Sequence, residues 1–312
     1  MKAGAVARRA RQPAPPPPPP ARGGTSRAKL YKVRVTFRSS AMIIKGKSAV
    51  ITGAGSGIGQ AVAMELADRG VGAVGLVDSS ESVINVARAI NDRMERPVAE
   101  AIIGDVTDSA FRSRAFDLIC SKYGVPSICI PAAGVSLDQP AVQMDEQTGR
   151  AVIYPLDKFR EVAEINLIAP AAWALETIAR IAEDRHGRGL KGWNPDEGIQ
   201  GTIIFLGAVS SHGNTGQLAY TAAKSGLEGV ASTLAKEAIN FGVRCAVIHP
   251  GYTDTPMTRA LGEEYIQKNI LPYTQLRRLI APSEIADAIY FLICNSAVSG
   301  QLWADAGWHP QS

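Results

Sequence analysis

The stretch Thr52-Gly53-Ala54-Gly55-Ser56-Gly57-Ile58-Gly59 decides the fold. It follows an apolar segment, residues 48–52, with the composition of a buried strand, and it leads into residues 59–69, which have a helical pattern ended by Gly70. Only glycine allows both the tight turn and a close approach of ligand to backbone. This turn between the first strand and the first helix predicts a pyrophosphate site at the helix N-terminus.

Strand and helix patterns alternate from residue 43 to the end of the chain. The predicted strands cover residues 48–52, 73–77, 98–103, 127–130, 202–206, 244–248 and 301–304. The predicted helices cover residues 59–69, 80–93, 158–185, 220–241 and 282–294. This alternation predicts an α/β fold with a single doubly wound, Rossmann-like parallel sheet and helices on both faces, formed by a domain of residues 42–312.

Residues 1–41 differ in composition from this domain. They include Arg8-Arg9, six consecutive prolines (residues 15–20) and Gly23-Gly24, which predicts a disordered Pro/Arg-rich extension. Two roles stay open, an organelle transit peptide and a non-functional extension. The proline run favours the second, since it interrupts an amphipathic targeting helix.

Bulk properties exclude several functional classes. Of the 33 Lys and Arg residues, 12 lie in residues 1–47, where there is no Asp or Glu, so the remainder carries a charge of about −8 and nucleic-acid binding by it is not expected. No apolar run approaches about 18 residues, which argues against a membrane span. The four cysteines show no pairing or metal spacing and predict buried free thiols, hence a cytoplasmic protein without a metal site.

The second predicted strand is followed by Asp78, which predicts the type of dinucleotide. A carboxylate at this position accepts hydrogen bonds from adenosine ribose hydroxyls and repels a 2′-phosphate. Neither Ser79 nor Ser80 is basic, and Ser56 brings no positive charge into the glycine turn. The cofactor predicted is therefore NAD, although a helix-capping role for Asp78 stays open.

Tyr220-Thr221-Ala222-Ala223-Lys224 opens a predicted helix and suggests acid–base chemistry. The i, i+4 spacing brings Tyr220 and Lys224 to one helix face. A phenol titrates near pH 10, and a nearby ammonium favours the phenolate, so we expect the lysine to lower the pKa of Tyr220. The pair is common by chance, but here it follows the glycine-rich turn at a suitable distance.

These motifs resemble those of the short-chain dehydrogenase/reductase family over residues 43–309. The shared motifs, in family order, are the glycine turn, Gly104-Asp105-Val106, Ala132-Ala133-Gly134, Asn166-Leu167, Tyr220/Lys224 and Pro250-Gly251. The resemblance implies catalytic roles for Tyr220, Lys224 and Asn166, the last holding a water in a proton relay. It implies cofactor binding by Gly53, Ser56, Gly57, Ile58, Gly59, Asp78, Asp105, Val106, Ala133, Gly134, Tyr220, Lys224, Pro250, Gly251, Thr253 and Thr255.

Structural alternatives stay open for some of these residues. Asp105 is also a plausible turn residue, Asn166 a structural amide inside a helix, and Pro250-Gly251 a simple turn.

The sequence departs from the family pattern at two positions. The family has a substrate-binding serine 13 residues before the tyrosine, where this chain has Gly207. One lost hydrogen bond to a developing oxyanion costs on the order of 10²–10³ in rate. Ser210 is the candidate replacement, with an ordinary loop serine as the alternative. Pro131 stands where the family has an asparagine that ties neighbouring strands together, so we expect a packing effect there.

The resulting prediction is an NAD(H)-dependent oxidoreductase that interconverts a secondary alcohol and a ketone. Two alternatives stay open: an NAD-binding family member with impaired redox activity, suggested by Gly207, and a non-redox lyase or isomerase that uses Tyr220. Segments 138–155 and 186–200 are longer than the minimal pattern and resemble the branch acting on 3-hydroxyacyl-CoA and steroid alcohols. Residues 257–279 are predicted to form a lid, with Arg277-Arg278 near an anionic substrate group or simply solvated. The family implies a homodimer or homotetramer.

Overall fold

The computed structural model describes residues 42–309. The predicted extension of residues 1–41 lies outside the described residues, and the domain boundary at residue 42 stays a prediction. The described residues form a seven-stranded parallel sheet and a separate two-stranded hairpin. The strands in chain order are β1 Ser48–Thr52, β2 Ala73–Asp78, β3 Ala99–Ile103, β4 Ile128–Pro131, β5 Val142–Asp145, β6 Arg150–Ile153, β7 Gly201–Leu206, β8 Val243–Pro250 and β9 Gly300–Ala304.

Helices cover both faces of the sheet, so the predicted α/β class is confirmed. They are α1 Gly57–Asp68, α2 Ser82–Met94, α3 Ser109–Tyr123, α4 Leu156–Ala163, α5 Ala169–Gly187, α6 Leu218–Glu237, α7 Pro256–Arg259, α8 Glu263–Asn269 and α9 Pro282–Cys294. One core lies between the sheet and α1, α2 and α9, and a second between the sheet and α3, α5 and α6. Because both faces of the sheet are covered, strands such as β1 are buried along their whole length and carry only apolar residues between Ser48 and Thr52.

The strand order is β3-β2-β1-β4-β7-β8-β9, and the chain reverses direction of winding between β1 and β4. Successive crossovers from β1 lead outward to β3, and the chain then returns to β4 beside β1. In open parallel sheets, ligands bind at the carboxyl ends of the strands beside such a reversal. This topology predicts a ligand site above the ends of β1 and β4.

The elements that were not predicted from the sequence are helix α3, the two strands of the hairpin, and the short helices α7 and α8. Helix α3 is capped by Asp108, whose side chain accepts from the Ala110 and Phe111 amides, and it buries Phe111, Phe116 and Ile119. The longer segment 138–155 contains the antiparallel β5–β6 hairpin. Asp108 followed by apolar residues at helical spacing was the signal for α3; the short hairpin strands are exposed, so they lacked a buried-strand pattern.

The predicted long helix of residues 158–185 is interrupted by one turn of π-helix, Glu164–Ile168. By length and composition, the combined stretch Leu156–Gly187 is apolar enough to span a membrane, contrary to the sequence-based expectation. Residues such as Trp173 and Ile181 on α5 nevertheless pack against the sheet in the second core. One face of this stretch therefore packs against the sheet, and 44% of its most apolar window is buried.

Two of the four cysteines differ from the sequence-based prediction. Cys129 and Cys245 are buried, as expected, whereas Cys120 and Cys294 are only partly buried, and all four are free thiols. Burial raises the pKa of Cys129 and of Cys245 to about 12, which keeps these two thiols protonated and unreactive.

Candidate active site

A cavity of about 550 Å³ opens above the carboxyl ends of β1, β4 and β7, where the topology predicts a ligand. Every predicted cofactor-binding residue lines it. These are Gly53, Ser56, Gly57, Ile58, Gly59, Asp78, Asp105, Val106, Ala133, Gly134, Tyr220, Lys224, Pro250, Gly251, Thr253 and Thr255. The structure therefore brings these residues together in one place, and their binding of a cofactor stays a prediction.

The glycine turn is shaped by close backbone contacts. A side chain at Gly53 would meet Ala133 backbone atoms at 2.7 Å, and Gly53 and Gly57 both have positive φ angles, 64° and 54°. Ser56 is the N-cap residue of α1, yet its side chain makes no capping hydrogen bond, so the first amides of the helix stay open to the cavity. Open helix N-terminal amides fit the pyrophosphate of a dinucleotide.

Asp78 ends β2 and contacts the glycine turn directly. Its Oδ2 accepts from the Gly55 amide at 2.8 Å, and its Oδ1 accepts from the Ser80 amide at 2.9 Å. A side chain at Gly55 would meet Asp78 Oδ2 at 2.9 Å, so glycine is required for this approach. Asp78 does not cap α2, whose N-cap residue is Glu81, which removes the capping alternative. The carboxylate orders the turn and also lines the cavity.

Asp105 combines the two roles that the sequence left open. Its Oδ1 accepts from the Thr107 amide at 2.9 Å and from the Thr107 hydroxyl at 2.8 Å, which makes it a turn residue. It also lines the cavity beside Val106, whose carbonyl accepts from the Trp173 indole at 3.0 Å. The turn thus fixes the wall opposite the glycine loop.

Pro250 and Gly251 likewise combine a turn with a cavity wall. A side chain at Gly251 would meet the Asp305 carbonyl oxygen at 2.7 Å. The Thr253 hydroxyl donates to the Gly251 carbonyl at 3.0 Å, and Thr255 caps α7 by accepting from the Thr258 amide at 3.3 Å. This turn begins the predicted lid, which consists largely of α7 and α8 and reaches the cavity through Met257 and Leu261.

Tyr220 and Lys224 lie on one face of α6, as predicted, with Lys224 Nζ 5.5 Å from the centre of the Tyr220 ring. Lys224 is 6% exposed and donates to the Leu206 carbonyl at 2.8 Å. Its burial lowers its pKa to about 8. The Tyr220 hydroxyl has no hydrogen-bond partner within residues 42–309, and the side chain lines the cavity. An unpartnered phenol beside a buried ammonium is suited to proton transfer.

The expected lowering of the Tyr220 pKa is wrong for this structure. Burial raises the pKa of Tyr220 above its ordinary value, and the carboxylate of Asp138 raises it further. Desolvation disfavours the charged form of each partner, so it acts against the phenolate and against the ammonium together.

The side chain of Asn166 binds a neighbouring backbone segment, and the water-holding role of this residue stays a prediction. Asn166 lies in the π-helical turn and is fully buried. Its Oδ1 accepts from the Val135 amide and its Nδ2 donates to the Val135 carbonyl, both at 2.8 Å. The side chain is therefore the structural amide that the sequence left open as an alternative. It holds the Gly134–Val135 backbone, since a side chain at Gly134 would lie 3.3 Å from Asn166 Oδ1.

Gly207 does not occupy a position from which a serine side chain reaches the cavity. Its backbone lines the wall, but a side chain there would meet the ring of His249, with Cε1 at 2.6 Å. The prediction that Gly207 marks the substrate-binding position is therefore wrong about side-chain direction. Ser210 lines the same cavity, is 5% exposed, and its hydroxyl has no partner within residues 42–309.

A group of polar side chains near Tyr220 was not among the site residues predicted from the sequence. Asp138 accepts from Gln217 Nε2 at 2.7 Å and from the Ser136 hydroxyl, and Asn214 Nδ2 donates to Gln217 Oε1 at 2.9 Å and to the Tyr252 hydroxyl at 3.3 Å. We call these five residues the polar rim. They come from three loops that follow different strands, so no local pattern in the sequence connects them.

Arg277 and Arg278, for which the sequence left open a place near an anionic substrate group, lie away from the cavity. Arg278 forms a salt bridge with Glu284 at 2.7 Å, and neither Arg277 nor Arg278 lines the cavity. Within residues 42–309, no three His, Cys, Asp or Glu side chains form a metal-binding group. Lys224 is the cationic side chain among the lining residues of the described chain.

Pro131 ends β4 opposite Thr52 and lacks an amide hydrogen. The Thr52 hydroxyl accepts from the Ala133 amide at 3.2 Å, and the Thr52 carbonyl accepts from the Ala132 amide at the same distance. The backbone and the hydroxyl of Thr52 thus connect β1 to the end of β4. Because these hydrogen bonds join the two strands, the fold accommodates a proline at position 131.

The fold and the site together define a Rossmann-type protein that binds a nicotinamide dinucleotide. A family model described as enoyl-(acyl carrier protein) reductase matches residues 53–309. The chain is 31% identical over 257 residues to the 3-oxoacyl-(acyl-carrier-protein) reductase FabG of Escherichia coli K12, which covers 82% of this chain and 93% of that protein. FabG of Pseudomonas aeruginosa is 29% identical over the same shares.

Solved structures agree with these sequence relatives. A protein described as an NAD(P)-dependent gluconate 5-dehydrogenase from Beutenbergia cavernae, with bound NADP at low occupancy, superposes with a TM-score of 0.71 at 27% identity, over 86% of this chain and 98% of that one. One described as a ribose-5-phosphate isomerase from Brucella melitensis has a TM-score of 0.69 at 27% identity, over 86% and 93%. The chain belongs to the short-chain dehydrogenase/reductase family and is an oxidoreductase of that family.

Proposed function

We propose that this protein interconverts a secondary alcohol and a ketone by hydride transfer with NAD(H). The observation that carries the proposal is the side chain of Tyr220, which lines the cavity with its hydroxyl unpartnered in the described residues. The centre of its ring lies 5.5 Å from Lys224 Nζ. In ketone reduction Tyr220 donates its proton to the substrate oxygen, and in alcohol oxidation it accepts the hydroxyl proton. When bound, the nicotinamide supplies the hydride donor or acceptor.

Turnover with and without the tyrosine hydroxyl tests this proposal. Purified protein with NAD and a panel of secondary alcohols is followed at the NADH absorbance band. Tyr220→Phe is expected to lower kcat by about 10²–10⁴ because a positioned general acid–base is lost, while NADH binding is retained. The matched control is Tyr123→Phe. In the natural protein the Tyr123 hydroxyl donates to Glu100, and this residue does not line the cavity.

The same experiment separates the alternatives. NADH binding without turnover on any substrate would indicate a binding protein, the alternative that Gly207 suggested. Conversion of substrate without any change in NADH absorbance would indicate a lyase or isomerase.

NAD is the proposed cofactor rather than NADP. The carboxylate of Asp78 lies at the end of β2, and within the described chain no basic side chain lines the cavity beside it. A 2′-phosphate there would face a fixed negative charge without a cationic partner. Fluorescence titration is expected to give at least a roughly tenfold lower Kd for NADH than for NADPH.

Removing the charge of Asp78 tests its role in that preference. Asp78→Asn keeps an acceptor for the glycine turn, so it is expected to narrow the gap between the two cofactors chiefly by improving NADPH binding. Equal affinity of the natural protein for NADPH and NADH would contradict the proposed preference.

A homodimer or homotetramer is the proposed assembly. Ile168, at the end of the π-helical turn, and Leu175 on α5 are exposed apolar side chains on a long helix. Such residues favour burial against a second copy. Light scattering is expected to report a molecular mass that is a multiple of the 33.0 kDa chain mass. The variant Leu175→Lys is expected to lower this mass toward that of the monomer.

A further inference from the structure

Gly207 and His249 compete for one space where β7 and β8 end. His249 is fully buried, and the ring of this histidine lies where a side chain at position 207 would have to be. Neighbouring backbone is fixed, since the Gly207 amide donates to the Ile248 carbonyl at 2.8 Å. The strands cannot move apart without losing that pairing, so only one of the two positions can carry a large side chain.

The ring of His249 connects the loop after β7 to strand β9. Its Nδ1 lies 3.3 Å from the Ala208 carbonyl and 3.2 Å from the Ser211 hydroxyl. The Ala208 carbonyl can only accept, so its contact with Nδ1 is a hydrogen bond in the tautomer that carries the proton there, whereas the Ser211 hydroxyl can pair with Nδ1 in either tautomer. The ring stacks on Trp303 with centroids 4.2 Å apart and planes at 11°. The histidine is therefore held from one side and contacts the loop from the other.

This loop contains the short 3₁₀ turn Val209–His212, which has two serines with different surroundings. Ser211 is directed to His249, and its hydroxyl also accepts from the Ala208 amide at 3.3 Å. Ser210 instead lines the cavity, and its hydroxyl has no partner in residues 42–309. Fixing Ser211 to the histidine thus determines the orientation of Ser210 one residue earlier.

We infer that His249 is a positioning residue, which holds the 209–212 turn through Nδ1 so that Ser210 presents the hydroxyl for the substrate oxygen. This rests on the proposed alcohol–ketone function. Residue 207 is glycine because the histidine occupies the volume of its side chain, and the substrate hydroxyl donor has moved three positions along the chain. The other ring nitrogen, Nε2, is buried, makes no hydrogen bond within residues 42–309 and lies 3.8 Å from Glu228 Oε1, on the side away from the turn contacts of Nδ1.

A double-mutant cycle on stability tests the shared space without any need for turnover. Gly207→Ser is expected to lower Tm in the presence of His249 and to have little effect in a His249→Ala background, because the ring is then gone. Gly229→Ser is the matched control, since a side chain there meets nothing within 4 Å. Its effect should be the same with and without His249. Equal effects of Gly207→Ser in both backgrounds would overturn the inference.

Kinetics test the positioning role. Ser210→Ala is expected to lower kcat by roughly 10²-fold with KM for NADH unchanged, and His249→Ala to lower kcat in the same way. His249→Asn, which keeps a polar group near the Nδ1 position, should recover most of kcat, and His249→Gln should not. The double variant Gly207→Ser/His249→Ala should be no faster than His249→Ala alone, because a side chain at position 207 is directed at the space of the ring and not into the cavity.

The outcomes separate this inference from the proposed function. A non-additive Tm cycle with no alcohol turnover by the natural protein would refute the proposed function, and the positioning role with it. An active natural protein in which Gly207→Ser is faster than glycine, or in which His249→Asn and His249→Gln behave alike, would refute the positioning role alone. His249→Asn and Gly207→Ser keep the test available if His249→Ala does not fold.

Discussion

Tyr220 is partly buried and lies beside Lys224, the buried group that was expected to activate it. Desolvation raises the pKa of Tyr220, with smaller contributions from Asp138 and Tyr252, and it lowers the pKa of Lys224 to about 8. At neutral pH the phenol therefore keeps its proton, and the lysine is mainly charged. This state suits proton donation to a ketone oxygen, and we expect alcohol oxidation to increase with pH.

The carboxylate of Asp138 makes a testable contribution at this scale. Because its negative charge disfavours the phenolate, Asp138→Asn is expected to lower the pKa of Tyr220. The limb on which kcat/KM for alcohol oxidation rises with pH should move to lower pH. The pH–rate profiles of the two proteins measure this shift.

Asp157→Asn is the control for that experiment, because it removes the same charge and is not among the groups that shift the pKa of Tyr220. An unchanged profile, or a limb that moves to higher pH in Asp138→Asn, would contradict the assigned role of Asp138.

Among the elements, the π-helical turn between α4 and α5 connects the helix layer to the loop after β4. Asn166 binds both polar groups of the Val135 backbone from this turn. Asn166→Ala would leave a partly buried amide and carbonyl without partners, so we expect the free energy of unfolding to fall by about 1 kcal/mol, the lower end of the range for such groups. NADH affinity should fall as well, because Gly134 lines the cavity one residue earlier.

Urea unfolding and NADH titration measure the two effects of Asn166→Ala. Asn295→Ala serves as comparison, since that side chain accepts from the Ala297 amide in an exposed turn. A variant as stable as the natural protein, with unchanged NADH affinity, would show that the Val135 contact is dispensable.

Across the whole molecule, the burial of Lys224 links stability to pH. Its pKa of about 8 in the folded protein is below the ordinary value of 10.5, so between these values the unfolded chain binds more protons. Stability from this group therefore rises with pH across the window. Below pH 8 the cost of burying the charge is present in full, on the order of 3 kcal/mol.

Comparison with Lys224→Met isolates this contribution from other titrating groups. The stability of the natural protein relative to the variant should increase from pH 8 to pH 10.5, as measured by urea unfolding at several pH values. Lys236→Met, on the exposed face of the same helix, should show no such change. A pH-independent difference between the natural protein and Lys224→Met would contradict the buried-charge account.

The sequence by itself determined the features that local spacing encodes. The glycine turn between a strand and a helix, the i, i+4 pair Tyr220 and Lys224, and the alternation of strands and helices were all correctly predicted, because each depends on backbone conformation over a few residues. Asp78 was placed at the cofactor cavity for the same reason, since it directly follows a recognisable strand.

Only the tertiary structure decided where side chains point and what they touch. The direction of Gly207 depends on His249 from a neighbouring strand, the use of the Asn166 amide on Val135, and the polar rim on three separate loops. The sign of the Tyr220 pKa shift follows from burial, which is a property of the packed molecule. These are contacts between residues far apart in the chain, so no periodic pattern in the sequence contains them.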